Sequence, residues 1–264
     1  MDASTRHDRI DPAEAASLRR LIDDALGVES VADTPFATPL LLFARLDVER
    51  QAAMFRVETG KVLIQEQLAV EARERLPVGA PILVTTRITE AAAGAPILIE
   101  AGLADPSGRP LGAVRASLRA VAAARRAAAK GLPPSRAAAG GDAVGRETRP
   151  IDADLTERWV RLVGDDNPVH VDDEYARGLG LSGPIVPGAL LAALAEGLAA
   201  LTRAADGARA VALNMRFVAP LMVGTAVEVE IRPKPAVAGS PRRDLRLFFG
   251  DGARIAAVAD LTMA

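Results

Sequence analysis

Apolar and polar residues alternate along several short stretches of the chain. Residues 227–231 read VEVEI and residues 245–249 read LRLFF, so that every second side chain is apolar. A period of two places these apolar side chains on one face of an extended strand. The pattern therefore predicts antiparallel β-strands that bury one face and leave the other near the surface.

A different pattern, apolar nearly all round, follows the Pro-Gly pair at residues 187–188. Residues 189–204 read ALLAALAEGLAALTRA, and Glu196 is the one acidic residue among them. A helix that is apolar on every side is normally buried. We therefore expect a long helix that the strands enclose.

Capping residues mark two further helices in the C-terminal half. Asp154 is expected to cap the helix LTERWVRLV at residues 155–163, with Glu157 completing a capping box and Gly164 ending the helix. Asp172 is expected to cap a short helix in the stretch DDEYARG. The C-terminal half is therefore predicted to place its helices before its strands.

Two segments of the N-terminal half return in the C-terminal half. The stretch RLPVGAPILVTTRITE from Arg75 resembles APLMVGTAVEVEIRP from Ala219, and GRPLGAVRASL from Gly108 resembles GARIAAVADL from Gly252. In the first pair four residues match those 145 positions further on: Leu76, Val78, Gly79 and Val84. The second pair has an offset of 144. Two matches in order, at nearly one offset, indicate a duplicated unit.

A long buried helix wrapped by a curled antiparallel sheet is the hot-dog architecture, and the duplication predicts two of them. The expected fold class is α+β, a double hot-dog whose two sheets join edge to edge. Residues 125–145 contain Pro-Pro and Gly-Gly pairs and no apolar period, which is typical of a linker. We expect an N-terminal hot-dog at residues 1–124, this linker, and a C-terminal hot-dog at residues 146–264.

The composition argues against several classes of function. The chain has 264 residues, a net charge of −2 with acidic and basic residues interleaved, and no cysteine. We therefore expect no nucleic-acid partner, no membrane partner, and no disulfide or thiolate chemistry. The N-terminal residues lack an apolar signal core, and no apolar stretch has the length of a membrane span. A cytoplasmic location is expected.

One of the two histidines of the chain lies in the stretch GDDNPVHVD at residues 164–172. Three interpretations are open: an ordinary Asp-Asn-Pro turn, a metal site, or an acid-base pair. A single histidine without any cysteine is a poor ligand set for a transition metal, so no metal is expected. A loop bent at Pro168 can direct Asp165 and His170 to one water molecule, and histidine both accepts and donates a proton near neutral pH.

The motif GDDNPVHVDDEYA, followed about fifteen residues later by GPIVPGALLA, resembles the signature of the MaoC-like dehydratase family. The best-known members of this family are (R)-specific enoyl-CoA hydratases. The resemblance around this motif covers residues 155–195, and the strand pattern extends it to the C-terminus. The N-terminal half, which has no histidine after His7, resembles only the motif-free hot-dog of the double hot-dog members. The resemblance implies a hydro-lyase, without a cofactor, that interconverts trans-2-enoyl and (R)-3-hydroxyacyl thioesters.

The resemblance also implies roles for individual residues. Asp165 and His170 would together hold and deprotonate the water that attacks the substrate. Gly188, at the start of the buried helix, would bind the thioester oxygen through its N–H, where the helix dipole favours negative charge. Asn167 would hold the loop, and Pro168 would set its bend. One active site per chain is expected, with the N-terminal half shaping the acyl tunnel.

Two positions depart from the family pattern. Pro187 stands where many hydratases have histidine, and Glu196 stands where some members have serine. Glu196 either marks an altered acyl pocket or faces solvent at a gap between helices. The expected partner is an acyl-CoA or acyl-carrier-protein thioester, and a homodimer of double hot-dogs is a sensible assembly. A hot-dog acyl-thioesterase and a non-catalytic acyl-CoA-binding or heterodimer subunit remain as alternatives.

Overall fold

The secondary structure consists of two similar series of helices and strands. The computed structural model describes residues 3–28, 36–44, 61–89, 95–122, 129–134, 142–165, 167–203, 209–234 and 243–264. The strands in these ranges are β1 (Ala3–Arg9), β2 (Lys61–Ala72), β3 (Pro81–Thr89), β4 (Ile97–Ala104), β5 (Pro110–Ala122), β6 (Gly145–Pro150), β7 (Ala210–Phe217), β8 (Ala226–Pro233), β9 (Arg243–Gly250) and β10 (Ile255–Met263). The helices are α1 (Pro12–Leu26), α2 (Pro39–Ala44), α3 (Ala153–Val163), α4 (Asp173–Gly178) and α5 (Gly188–Arg203), with a 3-10 turn at Pro168–His170.

The ten strands of the described residues form one antiparallel sheet. Their order is β1-β3-β4-β5-β2-β7-β10-β9-β8-β6, with the N-terminal half at one end and the C-terminal half at the other. The halves join where β2 pairs with β7, from Gln67 opposite Arg216 to Glu71 opposite Ala212. The predicted double hot-dog, with its sheets joined edge to edge, is confirmed.

The junction between β2 and β7 has approximate two-fold symmetry. Ala69 lies opposite Asn214, and their numbers differ by the same 145 that separates the sequence repeats. Leu68 lies opposite Met215, and Val70 lies opposite Leu213. The same offset of 145 relates Leu68 to Leu213 and Val70 to Met215, so it converts one pair into the other. Two identical subunits related by a two-fold axis would pair in this way. The sequence repeat thus corresponds to a structural repeat.

The repeated Val-Gly pairs make the same turn in both halves. Gly79 has φ +78° and donates its N–H to the carbonyl oxygen of Ile10 at 2.8 Å. Gly224 has φ +84° and donates to the carbonyl oxygen of Ile151 at 2.7 Å. Glycine adopts this left-handed conformation without the strain of a Cβ. Strands β3 and β8 begin two residues after these glycines.

The predicted long helix of the C-terminal half is α5. Residues 190–199 are buried, and the helix contacts β2, β7, β10 and α1. In the N-terminal half, α2 packs on β2 and β5, while residues 45–60, which precede β2, lie outside the described residues. The apolar positions of β8 and β9 that follow the two-residue period are at most 3% exposed. None of the described helices is both long enough and apolar enough to cross a membrane.

The cap of α3 differs from the sequence prediction. Asp152, not Asp154, is the N-cap: its backbone is extended, and its side chain accepts from the N–H of Leu155 at 2.9 Å. Asp154 lies in the first turn of the helix, so it forms no capping box with Glu157. Either aspartate has a side chain that can cap a helix. The position at which the chain leaves β6 places Asp152 at the start of α3. Two other predictions are confirmed: Asp172 caps the start of α4, and Gly164 ends α3.

Part of the segment predicted as a linker contacts the sheet. Residues 129–134 are described, and within them Leu132 exchanges backbone hydrogen bonds with Ile255 at 2.7 and 2.8 Å. This contact places the segment beside the beginning of β10. Strand β6 begins at Gly145, the last residue of the predicted linker. The domain boundaries themselves stay a prediction.

Candidate active site

The loop after α3 is shaped by local hydrogen bonds. Gly164 ends α3 with φ +70°. The Oδ1 atom of Asn167 accepts from the N–H of Val169 at 3.2 Å, which caps the 3-10 turn that follows. Pro168 is the first residue of this turn, where no N–H is needed. Val169 is 1% exposed and anchors the turn in a small apolar cluster.

The turn brings together the two residues that the sequence analysis selected for acid-base chemistry. The Nε2 atom of His170 lies 3.6 Å from Oδ2 of Asp165. The His170 side chain is 11% exposed and that of Asp165 is 32% exposed, so the pair is sheltered and still reachable from solvent. At 3.6 Å the two atoms are too far apart for a direct hydrogen bond.

A backbone carbonyl determines which nitrogen of His170 carries the proton. The Nδ1 atom lies 2.8 Å from the carbonyl oxygen of Ile185. Because a carbonyl only accepts, Nδ1 must be the donor, and in the neutral ring Nε2 then holds the lone pair. An ionised carboxylate is also only an acceptor. A water molecule between His170 and Asp165 would therefore donate one O–H to each of them.

The segment before α5 links this histidine to the start of the buried helix. Ile185 donates its own N–H to the carbonyl oxygen of Val169 at 3.1 Å, so the segment is fixed against the 3-10 turn. Val186 donates to the carbonyl oxygen of Leu221 at 2.8 Å on the other side. Helix α5 begins two residues after Val186. The orientation of the imidazole and the position of the helix start thus depend on the same short segment.

Gly188 is the half-buried first residue of α5. Its N–H has no hydrogen-bond acceptor among the described residues, as is usual in the first turn of a helix. An ideal Cβ on Gly188 would lie 2.7 Å from Oε1 of Gln65 and 2.7 Å from Cζ of Phe217. Side chains of β2 and β7 therefore occupy the space that a Cβ would need, and this close packing on α5 fits glycine. The role expected from the sequence, binding of a substrate oxygen, stays a prediction.

Glu196 is a buried carboxyl in the middle of α5. Its side chain accepts from the N–H of Ala37 at 2.9 Å and also from the N–H of Phe36. Burial raises the pKa of Glu196 to about 7, and the two backbone donors oppose this shift. At 8% exposure the residue does not face solvent, so the second of its two sequence interpretations is wrong. Glu196 instead connects the C-terminal half to the turn that precedes α2.

Gln65 and Phe217 were not predicted as neighbours of Gly188. Phe217 is the last residue of β7, and Gln65 comes from the other half of the chain. The run Gln-Glu-Gln at residues 65–67 interrupts the apolar positions of β2 and is the one sequence signal of an irregularity there.

The described residues hold no cluster of three or more acidic or histidine side chains arranged for a metal.

The chain is similar to a known domain family and to proteins of known structure. Residues 135–236 match the family model described as the MaoC-like domain. A solved MaoC-like dehydratase is 14% identical, with a TM-score of 0.74 over 98% of this chain and 96% of the other. HtdX of Mycobacterium tuberculosis is 16% identical, with a TM-score of 0.68 over 98% and 99% of the two chains. A search of curated proteins found no significant match.

Proteins with another activity share the architecture. An acyl-ACP thioesterase from Bacteroides thetaiotaomicron is 11% identical, with a TM-score of 0.59 over 99% of this chain and 98% of the other. At such identities the structural likeness indicates a common fold and not a common reaction. The family model, in contrast, covers the acid-base motif and the buried helix. Residues 135–236 thus match the MaoC-like domain, and this match supports the resemblance to the MaoC-like dehydratase family that the motif indicates.

Proposed function

We propose that this protein catalyses the reversible hydration of trans-2-enoyl thioesters to (R)-3-hydroxyacyl thioesters, carried by coenzyme A or by acyl carrier protein. The pairing of Asp165 with His170 supports this proposal most directly. Their acceptor atoms face each other at 3.6 Å, and Nδ1 of the histidine is held by a carbonyl. This arrangement suits the orientation and deprotonation of one water molecule.

In the hydration direction the bound water gives one proton to the Asp165–His170 pair while its oxygen bonds to Cβ. The electrons of the Cα–Cβ double bond move toward the thioester carbonyl, whose oxygen becomes negative as an enolate forms. The pair then returns the proton to Cα on the same face. One hydroxyl and one hydrogen are added in total, and dehydration follows the reverse course.

The developing negative charge needs a fixed donor near the carbonyl oxygen. The N–H of Gly188 suits this role because it lies at the start of α5 and has no acceptor among the described residues. The dipole of the helix adds a favourable field for an anion at this end. Gly188 would thus stabilise the enolate, while Asp165 and His170 move the proton.

Each chain would contain one such site. The only other histidine, His7, is exposed on β1, which is the edge strand at the N-terminal end of the sheet. No second Asp-Asn-Pro-Val-His sequence exists in the chain. The N-terminal half therefore has no equivalent acid-base pair and would contribute substrate contacts only.

Incubation with crotonyl-CoA tests the proposed reaction. A hydratase removes the absorbance of the conjugated enoyl thioester without releasing a free thiol. Chiral analysis of the product should give the (R)-3-hydroxy thioester. Release of coenzyme A would identify a thioesterase instead. Tight binding with no turnover of short or long enoyl thioesters would identify a binding protein, and either result would reject the proposal.

A further inference from the structure

Strand β2 contains a β-bulge near its middle. Gln67 pairs with Ser117 on β5, whereas Gln65 pairs with Leu118, so Glu66 is an extra residue in β2. In a regular strand Gln65 and Gln67 would lie on the same face. The extra residue moves Gln65 to the opposite face, because each shift of one position reverses the side chains.

The two glutamines consequently have different surroundings. Gln67 is exposed, whereas Gln65 is half-buried and lies opposite Leu118, which packs against the apolar core. Residues directly opposite each other on paired strands share a face. Gln65 therefore points inward, and its side-chain oxygen reaches the start of α5 at Gly188.

The amide of Gln65 is available to a ligand. No side-chain hydrogen bond of Gln65 occurs within the described part of the chain. A half-turn of the terminal amide exchanges Oε1 and Nε2, so either atom can face Gly188. An amide that is half-buried and unpaired at the entrance of a helix can donate to an oxygen that also receives the helix N–H.

We propose that Gln65 positions the thioester carbonyl by donating a hydrogen bond from Nε2 to the carbonyl oxygen, beside the N–H of Gly188. This inference rests on the hydration reaction proposed above. It makes the N-terminal half part of the site, since β2 supplies a polar group to a reaction whose acid-base pair comes from the C-terminal half. The β-bulge is the feature that delivers this group.

Three variants test the role of Gln65. Gln65→Leu keeps most of the side-chain volume and removes all hydrogen bonding, whereas Gln65→Glu keeps an acceptor and removes the donor when the carboxyl is ionised. The same change at the exposed position, Gln67→Leu, is the matched control. Turnover of crotonyl-CoA should fall by roughly 10² or more in both Gln65 variants at neutral pH and stay unchanged in Gln67→Leu. The main loss should be in kcat, since the donor acts most strongly on the enolate.

Infrared spectroscopy of a bound, unreactive thioester separates positioning from a structural role. Butyryl-CoA labelled with ¹³C at the carbonyl should show a lower C=O stretching frequency in the wild-type protein than in Gln65→Leu. Equal frequencies, or wild-type turnover in Gln65→Glu, would overturn the inference while leaving the reaction intact. A wild-type protein that does not hydrate enoyl thioesters would reject the proposed function itself, and this inference with it.

Discussion

Glu196, in the buried helix of the C-terminal half, accepts a hydrogen bond from the backbone N–H of Ala37 in the N-terminal half at 2.9 Å. The N–H of Phe36 donates to the other oxygen of the same carboxyl. One ionisable group therefore connects the two halves of the chain. The charge of that group changes with pH, so the stability of the connection should change with it.

The free energy of unfolding should decrease as the pH rises from about 4.5 to about 7. Burial raises the pKa of Glu196 from 4.5 to about 7, so the folded protein binds more protons than the unfolded chain between these values. The stabilisation from protonated Glu196 is fully present below the pKa that this group has in the unfolded chain. It is lost as the pH rises through the pKa of Glu196 in the folded protein. The loss from this group amounts to about 3 kcal/mol. Urea unfolding at several pH values measures it.

Glu196→Gln is the variant that isolates this effect. It removes the titration and keeps one acceptor for the two backbone donors, so its free energy of unfolding should vary less between about pH 5 and about pH 8 than that of the wild type. The exposed Glu157, on α3, provides a control in Glu157→Gln. If the free energies of unfolding of the wild type and of Glu196→Gln changed in parallel with pH, the raised pKa of Glu196 would be wrong.

Removal of either member of the acid-base pair should lower turnover without unfolding the protein. His170→Ala and Asp165→Asn each remove a proton-transfer group, and we expect kcat for crotonyl-CoA to fall by roughly 10² or more. His7→Ala, at the other histidine, should retain wild-type kinetics because His7 is exposed on an edge strand. Near-normal turnover in His170→Ala would exclude this residue from proton transfer.

Loss of the cap on the 3-10 turn should weaken the site through the position of His170. Asn167→Ala removes the acceptor for the N–H of Val169, a contact worth about 1 kcal/mol in comparable caps. We expect a lower kcat with a smaller loss than in His170→Ala. Asn167→Asp keeps a side-chain oxygen and should restore most of the rate. Steady-state kinetics of both variants measure these changes. An equal loss of kcat in Asn167→Ala and Asn167→Asp would show that the amide group of Asn167 is needed and that a side-chain oxygen is not sufficient.

A methyl group at Gly197 should force α1 away from α5. An ideal Cβ there would overlap Cδ1 of Leu26 and lie 2.9 Å from Cγ2 of Ile22. Overpacking of this kind costs about 1–3 kcal/mol, which outweighs the gain in helix propensity from alanine. Gly178→Ala is the matched control because its Cβ would meet nothing within 4 Å. Thermal unfolding should show a lower Tm for Gly197→Ala alone.

Local patterns were sufficient to predict most elements of the C-terminal half. The strands around Val229 and Leu247, the start of α5 and the cap at Asp172 all follow from side-chain period or capping chemistry, which act over a few residues. The turns at Gly79 and Gly224 lie in the two segments that the sequence repeat identified. Asp165 and His170 were selectable from one motif, and the structure brings them close together.

Contacts between distant segments could not be predicted in the same way. The partners of Glu196 are backbone groups about 160 positions earlier, and a backbone N–H leaves no sequence pattern of its own. Gln65 lies on the inner face only because of a bulge, and a strict two-residue period would have left it beside Gln67 on the outer face. Asp152 and Asp154 are chemically equivalent caps, so only the path of the chain from β6 distinguishes them.

The pairing of Ala69 with Asn214 marks an axis that relates two unequal halves. In a dimer of identical subunits every substitution near such an axis occurs twice, and both copies must tolerate it. Fusion of duplicated genes removes this constraint, and the residue 145 positions after Gln65 is Ala210. The peptide connection also keeps the halves at a fixed ratio and a high effective concentration. A single chain thus contains two halves in the arrangement of a dimer, and each half can diverge under separate selection.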